Sequence, residues 1–212
     1  MTVSIDTFLP HILPDVAGCP RFTALQAVIE SAIAFCEESH AWKETLPLIA
    51  LVDDQHSYAP VLPAGSRVIL VTEVWAADRE LHPATMSEIT DLYPDWQTAQ
   101  GTPRHYNQQD WQQFRVYPIP KDQVSASLTV RAALAPTRAA TTLPDFMADR
   151  HFQGIVSGAL KRLMLKPGQA WSNPTLAAYY ENEFRLACAN AKTAIFHDRV
   201  QGSARVRPRR FG

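Results

Sequence analysis

Seven histidines, three cysteines and a few acidic pairs are the residues of this 212-residue sequence whose types could bind metal, attack a substrate or carry a proton. Their spacing does not bring them together. His11, His40, His56, His82, His105, His151 and His197 are scattered, with no His-Glu-x-x-His or Cys-x-x-Cys pattern to place ligands on one helix face or in one turn, so no metal site is expected. Cys19, Cys36 and Cys188 are an odd set without close spacing and read as reduced, small apolar side chains, two of them inside apolar helical patterns. The eight glycines form neither G-x-G-x-x-G nor G-x-x-x-x-G-K-[ST], which leaves no phosphate cradle. Ser157-Gly158 is not part of a G-x-S-x-G elbow and falls in a helical stripe, where small residues let helices approach. Asp53-Asp54 reads as a turn and Glu37-Glu38 as a helix flank, not as paired catalytic carboxylates. No catalytic, cofactor-binding or metal-ligating residue is assigned, and no cofactor is expected. An enzyme is kept only as a rival reading, with a site assembled from distant residues such as His105 and Asp110 near Trp111.

The chemistry that does concentrate is electrostatic. Residues 201–212 carry Arg205, Arg207, Arg209 and Arg210 and no acidic residue; taking these four charges from a net of −1 leaves the remainder of the chain at −5. Such a segment reads as a solvated end, a nucleic-acid contact, or a peptide that orders on docking. Composition alone favours the solvated end. Val206 and Phe211, set among the arginines, are apolar anchors that suit a groove on another protein. A second concentration is aromatic: Trp75, Trp96, Tyr106, Trp111, Phe114 and Tyr117 are either core or protein contact, with core as the default for each.

The elements that must position these residues follow from periodicity. Pro20 suits a first helical turn, and Phe22, Leu25, Ile29, Ile33 and Cys36 recur at three- and four-residue steps, predicting a helix as far as Trp42. From Leu46 onward, Leu48–Val52, Arg67–Trp75, Phe114–Tyr117 and Ser125–Leu134 read as strands, with a helical turn over Pro83–Leu92. Ser127, Thr129 and Arg131 alternate with Leu128, Val130 and Ala132, the pattern of an antiparallel strand with one wet face. Helical texture returns at Pro144, with an apolar stripe through Phe146, Phe152, Ile155, Val156, Ala159, Leu160 and Leu163, and stops at Lys166-Pro167-Gly168. A final helix opens after Asn173 and carries Leu176, Tyr180, Phe184, Ala187, Cys188, Ala191 and Ile195 on one face.

The resulting expectation is α+β: an antiparallel helical bundle, made of the long N-terminal helix and two C-terminal helices, with a central antiparallel β insert and an extended C-terminal tail. Residues 1–45 and 142–200 would form the helical domain, 46–141 the β-rich insert, and 201–212 the basic tail. An apolar share of 46% with 19% charged residues excludes a disordered chain, and the near-neutral balance gives no general affinity for nucleic acid or anionic membrane. Apolar runs fall far short of the ~20 residues that span a bilayer. The N-terminus lacks a basic and apolar leader, so the protein is expected to act where it is made.

Several segments, in order, resemble the head-to-tail adaptor family of tailed phages, of the tail tubular protein A type found in short-tailed phages. They are Phe8-Leu9 through Val16-Ala17-Gly18-Cys19-Pro20, then Ala32-Ile33-Ala34-Phe35-Cys36 with Trp42. Tyr58, Gly101-Thr102-Pro103-Arg104-His105-Tyr106 and Val116-Tyr117-Pro118-Ile119-Pro120 follow. Last come Leu143-Pro144, Gly154-Ile155-Val156-Ser157-Gly158-Ala159-Leu160, Lys166-Pro167-Gly168-Gln169-Ala170-Trp171 and Asn173-Pro174. The resemblance covers about residues 5 to 196. It implies a virion structural protein of the neck, made in the host cytoplasm, without an active site. It also implies a ring, usually of twelve copies, that joins the portal ring to a tail nozzle or tail tube protein and passes DNA without recognising its sequence. By the same resemblance the tail, through Arg205, Val206, Arg207, Arg209, Arg210 and Phe211, would reach the portal. A stopper or tail-completion protein at another level of the neck is the nearest alternative, and a nucleic-acid-binding module a more distant one.

Overall fold

The computed structural model describes residues 1–108, 110, 112–122 and 126–196. Strand β1 (Thr2–Ser4) leads into two 3-10 turns, Ile5–His11 and Leu13–Val16, which bury Phe8, Ile12 and Val16. Helix α1 (Arg21–Ser39) starts behind Pro20, whose extended backbone cannot continue a helix backwards, and ends where His40 turns left-handed at φ 54°. The chain then forms β2 (Lys43–Thr45), β3 (Ile49–Ala50), β4 (Ser57–Tyr58), the long β5 (Ser66–Ala76) and β6 (Arg79–Pro83). Helix α2 (Met86–Leu92) is the turn expected from sequence, opened by a capping box in which Thr85 and Glu88 satisfy each other's backbone N–H groups. After it come β7 (Gln100–Gly101), β8 (His105–Asn107), β9 (Phe114–Tyr117), β10 (Ile119–Pro120), the long β11 (Ser127–Pro136) and β12 (Thr142–Pro144). Helices α3 (Asp145–Met164) and α4 (Pro174–Phe196) complete the described chain; Asn173 caps α4 by accepting the Leu176 N–H at 3.1 Å.

The expectation of a helical bundle carrying an antiparallel β insert does not hold. The fold is mixed, and a large curled sheet is its main body, ordered β2-β11-β5-β6-β8-β9-β4, with β3 also on β11. The sheet is not purely antiparallel either: β6 and β8 run parallel, as do β7 and β10 in a separate pair. Its curl has a local cause. Strands β5 and β11 pair from Leu128 opposite Ala76 to Pro136 opposite Ser66, with register shifts after Arg131 and after Ala133. Each such irregularity bends the strand and sharpens its twist.

Helices and sheet share one continuous core, in which Val130, Leu134, Phe35 and Ile155 are all fully buried. The junction is β11 itself. Ser127–Arg131 alternate as expected, but Ala132–Pro136 are buried on both faces because α1 packs across them. Alanine side chains there let the helix lie close to the strand, and the Leu134 N–H donates to the Trp42 carbonyl at 2.7 Å. The N-terminus is tied to the same body, since β1 pairs with β12 and the Phe8 ring stacks on Phe152 with centroids 4.7 Å apart.

Helix α3 meets both α1 and α4, and two glycines set the spacing. A Cβ at Gly154 would lie 2.8 Å from the Ala187 Cβ, and one at Gly158 would lie 2.6 Å from the Phe184 ring. Ser31 of α1 fills the remaining gap by donating to the Ile155 carbonyl at 2.7 Å.

Candidate assembly surfaces

Helix α1 is covered by β11 on one side and by α3 on another, and one seam of it stays open. Along that seam runs a cleft of about 320 Å³, floored by Ile5, Leu25 and Ile29 and rimmed by Phe22 and the Arg138–Thr141 loop. It continues into a polar hollow of about 310 Å³ bounded by Glu30, Glu37, Arg67, Arg138 and Arg162. Two ion pairs hold the hollow: Arg67 with Glu37, and Arg162 with Glu30 at 3.4 Å. Arg138 has no ionic partner among the described residues. Phe22, placed by its spacing in one apolar series with Leu25 and Ile29, is 77% exposed.

Helix α4 buries Ala177, Phe184, Cys188 and Ala191 and turns a second apolar stripe outward. Leu176, expected on one face with Phe184 and Cys188, belongs to that outer stripe together with Tyr179 and Leu186, which are both more than half exposed. At 100° per residue Leu176 lies well off the line through Ala177, Phe184 and Cys188, which is the physical reason for the difference. Lys161 of α3 and Arg185 both pair with Glu181, which anchors α4 on the inner side of this stripe. The Lys161 hydrogen bond holds the Glu181 carboxyl below the usual carboxylate range. Glu183, half-buried at the stripe's edge, has no ionic partner among the described residues.

The polar corner of the sheet is a structural cluster. The His105 Nδ1 lies 3.1 Å from the Tyr93 hydroxyl, which pins the end of α2 to β8, and His82 sits beside it with ring centroids 6.2 Å apart. Desolvation, helped by His82 and Arg104, lowers the His105 pKa and favours the neutral ring. Asp110 is engaged elsewhere, accepting from the Gln112 N–H at 3.3 Å, and Trp111 lies outside the described residues. Among the described residues no three His, Cys, Asp or Glu side chains gather as a metal site. All three cysteines are buried and unbridged; burial raises the thiol pKa of each, that of Cys188 to about 12, so none carries the thiolate a nucleophile needs.

Of the aromatic residues singled out by sequence, Tyr106, Phe114 and Tyr117 are core, while Trp96 packs edge-on against Tyr117 at 6.0 Å and is half-buried. Trp75 stands on the sheet's outer face at 37% exposure. The six tail residues Arg205, Val206, Arg207, Arg209, Arg210 and Phe211 lie outside the described residues. The open seams on α1 and α4 were not picked out by sequence reasoning. Their signal is present in α4, where Leu176, Tyr179, Glu183, Leu186 and Asn190 follow a three-four spacing out of phase with the core stripe.

Among the described residues no helix is long and apolar enough to cross a membrane. A family profile described as SU10 adaptor protein, a head-to-tail adaptor family of phages, matches residues 6–209. No curated protein matches the chain.

Proposed function

The chain belongs to the SU10 adaptor protein family, and from that premise we propose that it forms the ring beneath the portal of a tailed phage, joining the portal to the tail. The observation that carries this reading is the extent of the match, which runs through the curled sheet, the four α-helices of the described residues and most of the basic tail. A phage adaptor is a structural component of the virion that associates with portal and tail components. The finer assignment is the position in the neck, a ring of twelve copies, and a lumen through which DNA passes without base recognition.

Physical features support it. A body without a general basic surface does not hold passing phosphate, so DNA slides instead of sticking. Basic character is confined to residues 201–212, which we assign to the portal. Arg205, Arg207, Arg209 and Arg210 would meet acidic side chains there, while Val206 and Phe211 would enter apolar pockets, as a short arm gains area without needing a preformed site.

The test is genetic. A phage lacking this chain is expected to accumulate heads and tails that do not join, with joining restored by the gene supplied in trans. Normal yields of joined particles in its absence would overturn the assignment to the neck.

A further inference from the structure

We propose that the outer stripe of α4 packs against the open seam of α1 on a second copy of this chain. The contact deepens the ring reading above and rests on it for its closure, though the pairing itself is testable without the portal.

Five observations carry it. Both seams are apolar at their anchors and neither is covered by the described residues: Phe22 is 77% exposed on α1, and Tyr179 and Leu186 are 56% and 57% exposed on α4. The lengths agree, since 14 rises from Leu176 to Asn190 and 15 from Phe22 to Glu37, at ~1.5 Å each, give roughly 21 and 22 Å. The three-four spacing on α4 is that of a helix seam meeting another helix. One seam is a groove, about 320 Å³ beside Phe22, and the other a ridge that projects side chains. Charge agrees as well: Glu183 on the ridge and Arg138 beside the groove each lack an ionic partner among the described residues, and docking lets them meet.

Because the two seams are different surfaces, the contact is head-to-tail. Every copy offers one of each, so the pairing propagates and closes as a ring when its rotation permits. The area is small. A strip roughly 21 Å long and about 10 Å wide gives ~200 Å² per partner, against ~800 Å² per partner in a standard stable interface. The free chain is therefore expected to be largely monomeric when dilute, and covalent trapping is the suitable probe.

Full-length Phe22→Cys and Leu186→Cys variants, mixed at high concentration and oxidised, are expected to give a disulfide between position 22 of one copy and position 186 of the other, identified by peptide mass. The double variant is expected to give a ladder of multimers. Arg138→Glu or Glu183→Arg should each cut the yield at least tenfold, and combining them should restore it. Absence of the 22–186 link, links of 186 to itself, or links from 22 to some other segment such as the C-terminal tail would each overturn the proposal. Portal binding by the same variants is scored separately, so a chain that binds portal without the 22–186 link refutes this interface alone. A chain that shows the link but fails to bind portal refutes the portal assignment alone.

Discussion

Gly158 of α3 faces Ser31 of α1 at the tightest point of the helix packing, one turn from the Ile155 carbonyl to which Ser31 Oγ donates at 2.7 Å. The same gap admits Phe184 of α4, whose ring lies against Gly158.

Gly158→Ala is therefore expected to destabilise the fold. A methyl group would lie 2.6 Å from the Phe184 ring, and overpacking costs about 1–3 kcal/mol. Alanine's better helix propensity returns about 1 kcal/mol, so the net loss is about 0–2 kcal/mol, at the upper end because the methyl would press hardest on the Ser31 Oγ. Urea unfolding of the variant reads it as a lower midpoint at unchanged slope. An unchanged midpoint would mean that the helices are not held this close.

The Glu181 network predicts a pH dependence. Its carboxyl pKa is lowered chiefly by the Lys161 hydrogen bond, so the contribution to stability is complete above the unfolded value near 4.5 and is lost as pH falls through the depressed folded value. Glu181→Gln should cost about 0.5–1 kcal/mol at neutral pH and much less well below pH 4. Thermal melts of both proteins across that range give the comparison, and parallel curves would contradict it.

His40 ends α1 in a left-handed conformation, its N–H donating to the Cys36 carbonyl at 2.8 Å. A side chain in that region costs about 1–2 kcal/mol, and glycine gives back up to ~1 kcal/mol through unfolded-state entropy. His40→Gly is thus expected to raise stability by about 0.5 kcal/mol, seen as a rise in the urea midpoint. A fall would show that the imidazole's own packing outweighs the relief of strain.

How much of this was legible in the sequence depends on where side chains carried a period. Pro20, Pro144 and Asn173-Pro174 announce helix starts directly, and Gly158 announces close packing, while the same role of Gly154 emerges only from the structure. The sheet's extent was hidden because β11 runs past Leu134 into Ala135 and Pro136, and burial of Ala132–Pro136 on both faces erases the alternation that marks Ser127–Arg131. Strands of two or three residues, such as β4, β7 and β10, are too short to show alternation, and their parallel or antiparallel sense comes only from tertiary pairing. The open seams were obscured for the opposite reason: Phe22 and Leu176 are apolar, and an apolar residue near a core stripe reads as core until its phase is measured.

Deleting residues 201–212 is expected to leave the melting temperature within about 1 °C of the intact chain, since the segment supplies no periodic apolar face. Portal binding should weaken, and any duplex-DNA binding at low salt should vanish with it. If instead the truncated chain binds portal as the intact chain does, the assignment of Arg205, Val206, Arg207, Arg209, Arg210 and Phe211 to the portal is wrong.

The most direct test of the adaptor reading is the mass of the complex formed between the intact chain and the portal ring of the same phage, by light scattering after gel filtration. A single joint species with one copy of this chain per portal subunit is expected, as ring symmetry requires. Folded, intact chain eluting apart from the portal would contradict it.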